Sequence, residues 1–554
     1  MSRLSVSFLP RAFALLALVL LALPTCAQEP PPEIGPAHSG SWYNRDQSGH
    51  GFSLEFGVTS GGDPLAVVYW YIYDDQGDPI FLMGNGVPDG HRVEVEFVSP
   101  TGMVYGEFDR DDVVREPGGN GVFEFSDRTT GTFSYTPSAF TQAAWGHGPV
   151  TDLPITRLFG VPAPRAFGEP VTEVCAAAGN SPFPDYNMQP VAPDATGMSR
   201  NAEEIADTIT LGWNIGNTME AIGGETAWGN PEVSADLVAL VKANGFDAVR
   251  IPAAWDQYAD AEMARIDPAW LDRVKTVVGH VIDQDMVAIV NIHWDGGWLE
   301  NNVTPEARES VTARQVAYWQ QIATHLREFD DRLLFAGANE PHVENGEQMA
   351  VLMGYHQAFV DAVRCTGGKN AYRTLVIQGP KTDIELTNAL FTRMPVDTLP
   401  NRLMAELHFY TPYNFTLMTE DQSWGKQFYY WGEGNHSPTD TDRNPTWGEE
   451  DTLDMLLAMA GDQFVDQGIP VILGEYGAQR RDNLTGEARE RHLRSRADWL
   501  EFVTRRSLAH GLKPFYWDTG GLDNNQSGLF DRRTLEVFDR QGLDALLEGA
   551  GLKP

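Results

Sequence analysis

From about Asn201 onward the chain repeats one rhythm, a short apolar stretch of strand length followed by an amphipathic stretch of helix length. That alternation narrows the folding options more than any other feature. Strands separated by helices run parallel, and a parallel sheet buries both of its faces. The apolar stretches fall at Leu211–Ile215, Asp247–Ile251, Met286–Ile292, Leu333–Ala338, Thr374–Gln378, Leu403–Leu407, Val471–Gly474 and Pro514–Trp517. Between the first two, Val233, Leu237, Leu240 and Val241 share one face of a helix expected to open at Pro231 and to stop at Gly245. A further helix is expected from Asp267-Pro268, with Trp270, Val274, Val277, Val278 and Val281 on one side. Eight such units over about 350 residues predict a (β/α)8 TIM barrel across residues 201–554, an α/β fold. A doubly wound open sheet is the structural alternative, because periodicity does not distinguish the two.

The stretch 38–160 follows a different pattern. Period-2 runs such as Val67-Val68-Tyr69-Trp70-Tyr71-Ile72-Tyr73 and Val93-Glu94-Val95-Glu96-Phe97 are separated by turn clusters such as Asp74-Asp75-Gln76-Gly77-Asp78-Pro79. This predicts a small antiparallel β domain, with no helical run in it. Residues 161–200, with Pro162, Pro164, Pro170, Pro182, Pro184, Pro190 and Pro193, read as an extended, semi-rigid linker.

At the front, Arg3 and Arg11 precede an apolar run from Ala12 to Leu23 and then Pro24-Thr25-Cys26-Ala27. The run is shorter than the roughly 20 residues a bilayer span needs, and its flanks are those of a secretory signal peptide over residues 1–27. A secreted protein, extracellular or periplasmic, is therefore expected, without membrane attachment after cleavage and as a monomer. Cys175 and Cys365 then remain, as a disulfide or as two buried thiols.

Charge narrows the choice of ligand. The 554 residues carry 40 Lys+Arg against 77 Asp+Glu, a net charge of −37. Such a chain repels nucleic acid, anionic lipid and acidic polysaccharide at long range, and imposes no such penalty on a neutral ligand.

In barrels of this kind the chemistry sits at the carboxyl ends of the strands. There the sequence places Arg250, His293, Asn339-Glu340, His408 with Tyr410, Glu475 and Trp517. Two carboxylates 135 residues apart, Glu340 and Glu475, are thus expected to converge at the barrel mouth. One protonated and one ionised carboxyl is what glycoside hydrolysis requires, and a nearby Arg250 favours the anion. His293 and His408 as zinc ligands lack the tight cluster such sites need, so no metal and no cofactor are expected. Trp228, Trp294, Trp298, Trp424 and Trp431 are candidate sugar platforms, each equally open to packing within its own loop.

The ordered set Leu211-Gly212-Trp213-Asn214-Ile215-Gly216-Asn217-Thr218, Val249-Arg250-Ile251-Pro252, Asn291-Ile292-His293-Trp294, Ala338-Asn339-Glu340-Pro341, His408-Phe409-Tyr410 and Gly474-Glu475-Tyr476-Gly477 resembles glycoside hydrolase family 5, the retaining cellulase family. The resemblance implies Glu340 as acid/base and Glu475 as nucleophile. It further implies Asn339 on the sugar 2-hydroxyl, Arg250 and Tyr410 orienting Glu475, and His408 supporting Glu340. His293 and Trp517 would contact the sugar being cleaved. Trp294 stands where many relatives have a second His. An endo-β-1,4-glucanase acting on cellulose or a related β-glucan is the expected activity, with xyloglucan or mannan as rival substrates. A non-catalytic polysaccharide-binding protein is the rival class. The opening Gly40-Ser41-Trp42-Tyr43-Asn44 resembles a small β module of secreted Gram-negative bacterial proteins, and Trp42, Tyr43, Trp70, Tyr71 and Tyr73 are its candidate sugar-binding rings.

Overall fold

The computed structural model describes residues 33–553 except 48, 60–62, 103–105, 107–108, 110–111, 128 and 161–180. The expected signal peptide and the Cys175 end of the expected cysteine pair lie outside the described residues. The chain divides into two compact units, one spanning His38–Gly160 and the other the residues that follow.

In the first unit β1 (Gly40–Tyr43), β2 (Gly51–Val58), β3 (Pro64–Tyr73), β4 (Pro79–Gly86), β5 (Pro88–Asp89), β6 (Arg92–Thr101), β7 (Val114–Phe125), β8 (Thr130–Pro137) and β9 (Val150–Gly160) form one antiparallel sheet. Its order is β4-β3-β2-β1-β9-β8-β7-β6-β5, and an added pairing of β4 with β6 brings the sheet round on itself. Alternate residues turn inward and fill the interior with rings. Phe52 sits 4.6 Å from Phe133, and Trp70 4.8 Å from Tyr135, centroid to centroid. Trp42 and Trp70, two of the expected sugar-binding rings, belong to this core. The expectation of no helix fails at α1 (Ala139–Trp145). Ser138 caps it by accepting from the Thr141 amide at 3.0 Å, and Gly146 ends it in a left-handed conformation. Seven residues are too few for a helical period to stand out among strand patterns.

In the second unit β10 (Gly212–Ile215), β11 (Ala248–Ile251), β14 (Val287–Asn291), β15 (Leu333–Ala336), β16 (Leu375–Gln378), β17 (Leu403–Phe409), β18 (Val471–Tyr476) and β19 (Leu512–Asp518) form a closed barrel. Two-residue strands β12 (Ala259–Asp260) and β13 (Arg265–Ile266) pair outside it. All barrel pairings are parallel and β19 returns to β10, which rules out the open-sheet alternative. Around it lie α3 (Ala235–Ala243), α4 (Pro268–Ile282), α5 (Arg308–His325), α6 (Gly346–Cys365), α7 (Ile384–Leu390), α9 (Glu450–Phe464), α10 (Gly486–Ala509) and α11 (Arg540–Gly549). Helix α4 starts where Asp267 and Pro268 predict, with the Asp267 carboxylate accepting from the Ala269 amide at 2.9 Å. Helix α3 starts later than Pro231, because Ser234 is the residue that caps it, at 3.2 Å from the Leu237 amide.

The barrel interior is sorted by height. Ala248, Val287, Ile289, Leu334, Ala336, Val376, Met404, Ile472 and Phe515 form its apolar lower part. Short helix α2 (Ala202–Ala206) seals that end with Ala202, Ile205 and Ala206. Each Val, Leu, Ile, Met or Phe side chain among them, taken from water, contributes about 1.5–3 kcal/mol. One strand repeat higher, the same inward positions carry Asn214, Arg250, Asn291, Gln378 and Glu406, all fully buried. Part of the expected linker is also built into this unit. The Tyr186 hydroxyl donates to the Met263 carbonyl at 2.7 Å, and Phe183 packs against the barrel core.

Candidate active site

The polar layer is organised around one guanidinium. Arg250 Nη1 donates to Glu475 Oε1 at 2.9 Å and to Asn214 Oδ1 at 3.1 Å, and Nη2 donates to Asn339 Oδ1 at 2.7 Å. Its Nε pairs with Glu406 Oε1 at 2.8 Å. A cation with no exposed surface is tolerable only beside such carboxylates and amide acceptors.

Glu475 is held at both oxygens, since the Tyr410 hydroxyl donates to Oε2 at 3.0 Å. Its aim comes from a change of register. Between β17 and β18 the pairing slips after Leu407, so that His408 stands beside Glu475, and between β18 and β19 it slips between Leu473 and Tyr476. The irregularity turns the carboxylate over the barrel mouth. Burial pushes its pKa up, the cations His408 and Arg250 pull it down, and Glu340 pushes it up again, for a net rise. Tyr410, buried beside Glu475 and Glu340, has its phenol pushed up and remains a donor.

His408 lies between carboxylates. Nδ1 is 2.7 Å from Glu340 Oε1 and 3.8 Å from Glu475 Oε2, and Nε2 is 3.3 Å from Glu406 Oε1. Burial opposes its charge, but Glu475, Glu340 and Glu406 outweigh burial and push its pKa up to about 10. It is therefore an imidazolium that donates from both ring nitrogens. Through His408, oxygen atoms of Glu340 and Glu475 come within 4.8 Å of one another. The two differ in setting: the Glu340 side chain is 42% exposed and that of Glu475 7%.

Of the remaining sequence candidates, His293 and Trp517 stack at 5.6 Å with their planes 10° apart. Burial, Arg250 and His408 push the His293 pKa well down, and the Asn291 amide lies 3.2 Å from Nδ1. Trp517, Glu340, Tyr410 and Glu475 line one cavity. Trp228 lines an adjoining pocket with Asn230, Arg532 and Arg533, and Thr519 is common to both. Trp294 is exposed but lines none of these cavities, and Trp424 is exposed beside Tyr413 at 6.1 Å. Two of the proposed platforms are packing residues. Trp431 is buried and bonds the Gly448 carbonyl at 2.8 Å, and Trp298 donates to Asp295 at 3.1 Å within its own loop.

Sequence reasoning missed several residues. Glu406 has no exposed surface and accepts from Gln378 at 2.6 Å in addition to its contacts with Arg250 and His408. Its signal was a carboxylate inside an otherwise apolar strand, where a charge must have partners. Glu300 accepts from the Glu340 amide at 2.5 Å, and burial, with Glu340 and Glu475 nearby, pushes it up to about 7. Tyr413 and Trp447 are exposed and line a second pocket with Glu340, His408 and Tyr410.

Residues 214–523 match the family model for cellulase (glycosyl hydrolase family 5). A xyloglucan-specific endo-beta-1,4-glucanase from Bacteroides ovatus is 40% identical over 381 residues, which is 65% of this chain and 72% of that protein. Endoglucanase A of Paenibacillus barcinonensis is 30% identical over 63% of this chain and 90% of its own length. Among solved structures, the B. ovatus GH5 xyloglucanase in complex with a XXXG heptasaccharide superposes with a TM-score of 0.63 at 31% identity, covering 83% of this chain and 96% of that one. A GH5-4 broad specificity endoglucanase from Ruminococcus champanellensis with bound cellotriose gives 0.55 at 32% identity, covering 63% of this chain and 98% of that one. With a closed (β/α)8 barrel carrying Asn339-Glu340 and Glu475 at its mouth, this chain belongs to glycosyl hydrolase family 5 and is a glycoside hydrolase.

Proposed function

We propose that this chain is a secreted, retaining endo-β-1,4-glucanase in which Glu475 is the nucleophile and Glu340 the acid/base. The observation that carries the reading is the approach of the two carboxylates, with an oxygen of Glu340 and an oxygen of Glu475 within 4.8 Å of one another. Retaining enzymes place the two carboxyls about 5–5.5 Å apart, whereas inverting enzymes leave room for a water between them. The roles divide by environment. Glu475 is clamped at both oxygens by Arg250 and Tyr410, as an anion that must approach the anomeric carbon along one line requires. Glu340 is the more exposed, with the access to solvent that a group exchanging protons with a leaving oxygen and then with water requires.

In the first step a Glu475 oxygen bonds to the anomeric carbon while the glycosidic C–O bond breaks and Glu340 gives its proton to the departing oxygen. Glu475 is then an uncharged ester. Having given up its proton, Glu340 is then the carboxylate that takes a proton from water in the second step. Water attacks the same carbon, the ester bond breaks, and the configuration is retained. In this reading Asn339, whose carbonyl accepts from Arg250, would donate its amide to the sugar 2-hydroxyl, and the stacked Trp517 and His293 would lie against the ring; the first of these contacts is supported by the Arg250 bond and the second by the stacking. The basic and apolar start of the chain supports secretion, and no helix among the described residues is long and apolar enough to cross a membrane.

Xyloglucan is the favoured β-glucan, because the cavity of the carboxylate pair adjoins one further pocket at Thr519 and another at Glu340 and Tyr410, space that a branched backbone would use. The xyloglucan-specific relative supports the same choice. Reducing-sugar release from xyloglucan, mixed-linkage β-glucan, carboxymethylcellulose and mannan, measured in parallel, tests the choice of polymer. Glu475→Gln is expected to abolish turnover of all of them. Glu340→Gln is expected to keep the first step on aryl glycosides with good leaving groups and to be rescued by azide with retained configuration. Identical behaviour of the two variants on such substrates, or an inverted product in the proton NMR spectrum, would overturn the roles.

A further inference from the structure

Four strands of the N-terminal unit present an outer face unlike its other surfaces. Along β3, Ala66, Val68 and Trp70 point inward, so Val67, Tyr69, Tyr71 and Tyr73 face out. Pairing with β4 sets Phe81 opposite Tyr71 and Met83 opposite Tyr69, and pairing with β2 sets Gly51 opposite Tyr71. On the far side of Gly51 stands Tyr43, whose Cβ would be 3.2 Å from a Cβ added at Gly51. Tyr43, Tyr71 and Phe81 therefore form a row across the strands with a low step at the glycine. Strands lie about 4.8 Å apart, which puts Tyr43 and Tyr71, two strands apart, about 10 Å from one another. Tyr71, Tyr73 and Phe81 are 53%, 44% and 41% exposed.

The strands of the face are also nearly free of charge, and the acids Asp74, Asp75 and Asp78 lie in the turn between β3 and β4. Strands β1 to β4 hold a single charged residue, Glu55, whereas β6 and β7 carry Arg92, Glu94, Glu96, Arg115, Glu116 and Glu124. In a chain of net charge −37, an uncharged aromatic face suits an uncharged ligand. Flat rings with hydroxyl tips stack on the C–H faces of pyranose rings and bond their hydroxyls. A row spaced by two strands suits every second unit of an extended chain.

We propose that the outer face of β1–β4, centred on Tyr71 and Phe81, is a binding platform for a neutral β-linked glucan chain. The identity of the polymer rests on the glucanase reading above. By tethering the barrel to an insoluble chain, the platform raises the local concentration of cleavable bonds.

The test compares the full-length protein with Tyr71→Ala/Phe81→Ala in depletion from solution by amorphous cellulose, alongside hydrolysis of soluble xyloglucan. The double variant is expected to lose adsorption by about tenfold while its turnover of the soluble polymer stays within about twofold of the parent. Tyr71→Phe/Phe81→Tyr, which keeps both rings, is expected to adsorb like the parent and controls for misfolding. Unchanged adsorption by the alanine variant overturns the proposal. So does a parent that is dimeric in sedimentation velocity and a variant that is monomeric yet adsorbs equally, since the face would then meet a second copy. Lost adsorption in a protein that hydrolyses none of the soluble glucans would sink the glucanase reading and leave the platform standing.

Discussion

Two cations and three carboxylates meet in the upper barrel, and Glu406, like Arg250, is a member with no exposed surface. It pairs with Arg250 Nε at 2.8 Å and lies 3.3 Å from His408 Nε2, so it fixes both groups that in turn hold Glu475 and Glu340. Room for it comes from Gly474, where a Cβ would stand 2.1 Å from Glu406 Oε1. Glu406 is thus a positioning residue, and its effect is readable in pH. His408 is raised from 6.5 to about 10, so its charge stabilises the fold fully below pH 6.5, and that contribution is lost as pH climbs through 10. Glu406→Gln removes one of the charges that raise it. The variant is expected to show a lower kcat, by about 10- to 100-fold, with KM little changed, and an alkaline limb of the pH–rate profile that begins at lower pH than in the parent. A rate loss with an unmoved alkaline limb would reduce Glu406 to a packing role.

At the scale of elements, function sits where regular structure is interrupted. The register slips flanking β18 aim Glu475, and the segment after β17 supplies Tyr410, Tyr413 and Trp447. Tyr413 opens the one-turn helix α8 (Tyr413–Thr416), and Trp447 lies just ahead of α9. Both line the pocket on the Glu340 side of the carboxylate pair, where the leaving portion of a polymer would rest. Trp447→Ala is expected to raise KM about five- to tenfold for oligosaccharides that extend past the cleaved bond, and to leave aryl glycosides with no sugar beyond it unaffected. Kinetics on a matched pair of such substrates checks this, and an equal loss on both would place Trp447 outside the leaving-group side.

The molecule as a whole is strongly acidic, and that bears on substrate choice independently of the cleft. With a net charge of −37, an anionic polymer is repelled before it reaches the barrel mouth, while a neutral one is not. Hydrolysis of carboxymethylcellulose is expected to be suppressed at low ionic strength and to recover as salt approaches ~0.15 M, where screening acts within about 8 Å. Turnover of neutral β-glucan over the same salt series is expected to stay flat. A parallel salt response for both polymers would remove long-range charge as a determinant of specificity.

Much of this was legible in the amino-acid order. The eight apolar stretches mark the eight barrel strands to within a few residues, because a buried parallel strand must be apolar along its length. Polar residues at their carboxyl ends mark the site. Short elements governed by single caps were less legible. No helical period marks α1, and Pro231 suggests an earlier start for α3 than Ser234 sets, since a single serine cap carries no periodic signal. Sequence order also left unsorted which rings are core and which are surface. Trp42, Trp70 and Trp431 turned inward while Tyr71, Phe81 and Trp447 did not, a choice made by strand register and loop closure. The sequence by itself determined the alternation, the eight strands and the standing of Glu340 and Glu475 at strand ends, because periodic burial and strand ends are local properties, whereas closure into a barrel rests on the pairing of β19 with β10. Only the tertiary structure decided that Glu406 joins Arg250 to His408 and that the pairing slips beside Glu475, because these depend on residues brought together from β11, β17 and β18 by closure of the barrel.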